Sequence, residues 1–71
     1  MKVTLVKYDD WEGFYVDGEL KAQDHKISVE MLFELIEWGK VIDFQCRECY
    51  SWWNENEPDG FPQKLEDVKF D

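Results

Sequence analysis

The sequence predicts a small single α+β domain: an antiparallel β-meander packed on one main α-helix, with a further short strand and a further short helix. Three observations lead there. Lys2-Val-Thr-Leu-Val-Lys-Tyr8 is a strand-like run with apolar residues on both faces, an Asp17-Gly18 pair separates two short extended runs, and Ser28 to Gly39 carries helical periodicity between a start and a stop signal. A chain of 71 residues holds one domain, and a domain that small buries only about 60% of its unfolded surface. With 17% aromatic residues, four of them Trp, the chain is too apolar for a disordered segment.

Each element has its own signature. Lys2 to Tyr8 reads as a strand with Val3 and Leu5 on one face and Thr4, Val6 and Tyr8 on the other. Asp9-Asp10 and Gly13 punctuate the chain after it, so the second strand is expected over Phe14 to Val16 and the third over Glu19 to Lys21. The Asp-Gly pair between them suits the tight hairpin turn, whose two central residues need positive φ.

Ser28 is placed to cap a helix over Val29 to Trp38, with Gly39 ending it in the left-handed conformation. At 100° per residue, Val29, Leu32, Phe33, Leu35 and Ile36 form the arc expected to face the sheet. Glu30, Glu34 and Glu37 fall on the opposite side, with Met31 and Trp38 between. Val41 to Cys46 alternates as a fourth strand, with Ile42, Phe44 and Cys46 on one face. Arg47 to Asn56 reads as the short second helix, stopped by Pro58-Asp-Gly60. The tail over 58–71 is expected to be mostly irregular, with one turn near Pro62 to Leu65, pinned by Phe61, Leu65, Val68 and Phe70.

Charge narrows the partners. Seventeen Asp and Glu against eight Lys and Arg give a net charge of -9, which opposes direct binding to nucleic acid or anionic membrane, since both attract Lys and Arg. The N-terminal residues lack the apolar core of a signal peptide, and no run approaches the ~18 apolar residues of a membrane span. The expected compartment is the cytoplasm.

Cys46-Arg-Glu-Cys49 is the one motif with chemical content. If Arg47 onward is helical, Cys46, Cys49, Tyr50 and Trp53 share one buried stripe, and the cysteines are core. A strand leading into Cys-x-x-Cys at a helix start also resembles the thioredoxin layout, which implies a reactive first thiol. No following parallel strand matches that family, and Glu48 between the cysteines opposes a thiolate. A lone pair supplies half a zinc site, to be completed by His25 and Asp24 or by a second chain. Packing is the preferred reading, with neither metal nor cofactor expected. No Ser–His pair, glycine-rich phosphate loop or metal motif points to an enzyme.

The expected function is therefore a non-enzymatic acidic protein-interaction module binding a basic surface of a protein partner. Glu30, Glu34 and Glu37 would supply the charge, and Met31, Trp38 and Trp52 the apolar anchors, since Trp is enriched among interface hot spots. Its sharpest form is an inhibitor or adaptor that mimics nucleic acid, presenting carboxylates where phosphates would lie. The alternative is a zinc-binding regulatory or structural module using Cys46 and Cys49. Either a homodimer or a partner-bound state is expected to bury Trp38 or Trp52.

Overall fold

The computed structural model describes residues 1–71. Strands β1 (Lys2–Tyr8), β2 (Trp11–Val16) and β3 (Glu19–Asp24) form the antiparallel meander. Strand β4 (Asp43–Glu48) joins the other side of β1 in parallel, giving the order β3-β2-β1-β4. Two seven-residue helices, α1 (Val29–Leu35) and α2 (Tyr50–Asn56), complete a single α+β domain with a mixed sheet. Single 3-10 turns stand at Trp38–Lys40 and Leu65–Asp67.

The hairpin forms as its turn residues dictate. Asp17 and Gly18 adopt φ of 51° and 83°, and the Asp17 carboxylate accepts from the Lys2 amide at 2.8 Å. Because successive side chains of β1 point to opposite faces, the strand feeds two separate cores. Val3 packs with Phe14, Val16, Ile27 and Ile36 on one face, where Met31 and Leu32 of α1 lean over them. Val6 packs with Tyr15, Cys49, Phe61 and Val68 on the other, beneath Trp52, Trp53, Leu65 and Phe70.

The tail is held by part-buried polar groups that find partners. The Tyr15 hydroxyl donates to the Pro62 carbonyl at 2.6 Å. Gln23 Oε1 accepts from both Trp11 Nε1 at 3.0 Å and the Phe61 amide at 2.8 Å.

Several boundaries differ from expectation, each for a packing reason. Strand β2 begins at Trp11, so Gly13 lies inside it, where a Cβ would sit 2.6 Å from the Phe61 ring. The glycine is thus a seat for Phe61 and not a turn signal. Helix α1 stops at Leu35 because Ile36 turns extended, with φ of -136°, and enters the core. Gly39 is not left-handed and falls in the 3-10 turn. Val29, Phe33 and Leu35, expected to face the sheet, are consequently exposed. Strand β4 runs on to Glu48, so Cys46 and Arg47 are strand and α2 starts only at Tyr50.

These differences separate two glycines experimentally. Gly13→Ala must displace a buried ring and is expected to cost about 1–3 kcal/mol in urea unfolding. Gly39→Ala meets nothing within 4 Å and needs no left-handed backbone, so its unfolding midpoint should stay the same or rise slightly.

Candidate protein-interaction surface

Shortening α1 reshapes the surface that it was expected to present. Glu30 and Glu34 remain exposed on the helix one turn apart, and neither takes part in an ion pair. Glu37 lies beyond the helix, at the start of the 3-10 turn, where it pairs with Lys40 at 3.0 Å. The three glutamates therefore do not form one continuous helical stripe. Ser28 caps α1 as anticipated, its hydroxyl accepting from the Met31 amide at 3.2 Å.

The 3-10 turn swings Trp38 over the sheet edge instead of along the helix. Its ring lies 5.5 Å from Phe33 and 6.1 Å from Phe44, near-parallel to the latter at 23°. This aromatic row is solvent-facing: Phe33 is 63% exposed, Phe44 42% and Trp38 38%, with Ile42 at 77% nearby in sequence. Met31 is half-buried against the core, so only part of it is available to a partner. Phe33 escaped sequence reasoning because it falls in the arc of the longer helix expected to face the sheet, and Ile42 and Phe44 because that helix would have covered them. Their signal was the alternation Ile42-x-Phe44-x-Cys46, which demands a cover that a seven-residue helix does not supply.

Trp52 does not belong to this surface. It packs on the α2 side of the sheet, while Trp38 and Phe44 stand on the α1 side, because Phe44 is registered with Val3 and Val3 faces α1.

The cysteines divide in the same way. Cys46, registered with Leu5, is exposed on the α1 side, whereas Cys49 is fully buried in the α2-side core. The expected stripe therefore loses Cys46, and the strand pleat turns the two sulfurs away from a shared site. No cluster of three or more His, Cys, Asp or Glu side chains forms a metal-binding set, and His25 instead faces Asp10 and the Trp11 ring.

The Cys49 thiol lies 3.6 Å from the Lys7 carbonyl. Burial, then the Asp71 carboxylate, push it up from 9.0 to about 11. Asp71 itself caps α2, accepting from the Tyr50 amide at 3.0 Å and the Ser51 amide at 3.1 Å. Cys49 is thus the opposite of an activated thiol.

Comparison with known proteins returned no match to any family model, curated protein or solved structure.

The cysteines supply the test of this geometry. In the native protein a thiol reagent should label Cys46 quickly and Cys49 only after unfolding, read as one label against two by mass spectrometry. A thiol raised by folding contributes stability that is full below its ordinary value of 9.0 and is lost as pH climbs through about 11. Stability should therefore fall across that alkaline window, and Cys49→Ala should remove this component while costing about 1 kcal/mol or more at neutral pH.

Proposed function

We propose that this chain is an acidic protein-interaction module that engages a basic surface of a protein partner through its α1 side. The observation that carries the reading is the exposed row Phe33–Trp38–Phe44 beside a helix whose Glu30 and Glu34 are unpaired. Exposed aromatics in contact with one another gain by desolvation against a partner, and carboxylates at their border select for Lys and Arg. Net charge of -9 extends that selection over the whole approach. A nucleic-acid-binding protein is the fitting kind of partner, its basic site meeting carboxylates in place of phosphates. Trp52, on the other side of the sheet, takes no part.

Capture from native lysate with the wild-type chain and three variants tests this. Glu30, Glu34 and Glu37 changed together to Lys move the net charge from -9 to -3, each exchange adding two units. These exposed positions should leave stability within about 0.5 kcal/mol each. The triple variant should bind the partner more slowly, with a flatter salt dependence, whereas Trp38→Ala should chiefly speed dissociation. Trp52→Ala should leave both rates alone. Association unchanged in the triple variant would reduce the glutamates to a solubility feature.

A further inference from the structure

Strand β4 is the least covered strand of the sheet. All six of its residues are exposed, and its outer edge has no neighbouring strand. Unpaired strand edges normally recruit another strand or are blunted. The opposite edge is partly closed by the tail, through the Glu19–Lys64 bridge and the Leu20 amide donating to the Gln63 carbonyl at 2.9 Å.

Backbone parity determines which groups the edge offers. The Cys49 amide donates inward to the Lys7 carbonyl at 3.1 Å, whereas the Glu48 carbonyl accepts from the Asp71 amide at 3.0 Å outside the sheet. Alternation of backbone direction along a strand then turns Asp43, Gln45 and Arg47 towards β1. Phe44 and Cys46 point their amides and carbonyls outward. The free edge is therefore two residues, with Glu48 already half-occupied.

We infer that a second copy of this chain occupies that edge, its β4 running antiparallel to the first with Gln45 on the two-fold axis. Only this register sets the outward groups of Phe44 against those of Cys46 in the other copy, twice, for four hydrogen bonds. The same register places Asp43 opposite Arg47 of the other copy, again twice, so that opposite charges meet directly across the seam. It leaves Gln45 facing Gln45. Antiparallel pairing also suits a two-fold assembly, in which one patch meets itself.

Side chains agree with the backbone. Asp43, Gln45 and Arg47 already share one face as a hydrogen-bonded ladder, with Gln45 to Asp43 at 3.1 Å and Arg47 to Gln45 at 3.3 Å. On the other face the two Phe44–Trp38 stacks flank the seam and gain cover from each other. This inference rests on strand geometry and stands whether or not the α1 side binds a basic protein.

Three measurements test it. Sedimentation of the wild-type chain should give a concentration-dependent dimer of twice the chain mass. Asp43→Arg and Arg47→Asp should each sediment as folded monomers, since like charges then face each other in both pairs, and mixing the two variants should restore a heterodimer. Independently, Gln45→Cys in a Cys46→Ser background should form a covalent dimer with oxidised glutathione. Non-hydrogen-bonded antiparallel pairs lie about 4.5 Å apart at Cα, within the roughly 4.4–6.8 Å that a disulfide spans. Asp43→Cys in the same background should not cross-link. A wild-type chain that stays monomeric to about 100 μM, or cross-linking equal at positions 43 and 45, would overturn the proposal. So would a mixture of the charge variants that stays monomeric. Dimers unaffected by either charge change would place the interface elsewhere and equally overturn it.

Discussion

Everything in this fold depends on the pairing of β1 with a strand on each side while its side chains divide between two cores. Val3 and Val6, three positions apart in the chain, lie at 1% and 0% exposure on opposite faces. Each anchors a cluster of five buried residues. For a 71-residue chain this is a thin distribution of apolar material, because two small cores expose more perimeter than one of the same total size. The aromatics compensate on the α2 side, where Tyr8 stacks on Trp53 at 4.7 Å and Trp53 meets Phe61 edge-on at 4.9 Å.

The α1 side has less to work with. Its seven-residue helix reaches the core through Met31, Leu32 and the buried Ile36 just beyond its end, and it leaves β4 uncovered. Exposure of Phe33, Trp38, Ile42 and Phe44 follows directly from that shortage. The same shortage yields both surfaces of interest, an aromatic row bordered by carboxylates and an open strand edge. The tail packs over the α2 face, caps α2 through Asp71 and meets β4 only at Glu48.

Local signals in the sequence carried much of this architecture. Strand β1, the Asp17-Gly18 turn and the Ser28 cap are each set by residues within a few positions of one another, and such short-range chemistry is readable without the fold. Ile36 was not readable in the same way. Whether it continues a helix or turns into a core depends on Val3 and Phe14, far away in the chain, and its choice moved Glu37 and Trp38 off the helix. Gly13 misled for a related reason, since its meaning lies in Phe61. The cysteine pair looked like one motif because the strand was expected to end at Cys46. Two more residues of strand put Cys46 in solvent and Cys49 in the core. Of the candidate surface, Trp38 and the glutamates were legible as exposed polar and aromatic groups, while Phe33 and Phe44 required knowledge of where the helix stops.

The bare edge of β4 is tested most directly by amide hydrogen exchange, resolved by residue, at low and high protein concentration. Gln45 and Arg47, whose amides face β1, should be protected at both concentrations. Phe44 and Cys46 should exchange freely when dilute and gain protection as concentration rises. Fast exchange at Phe44 and Cys46 under all conditions would contradict pairing at this edge, and loss of protection at Gln45 and Arg47 would contradict the attachment of β4 to the sheet itself.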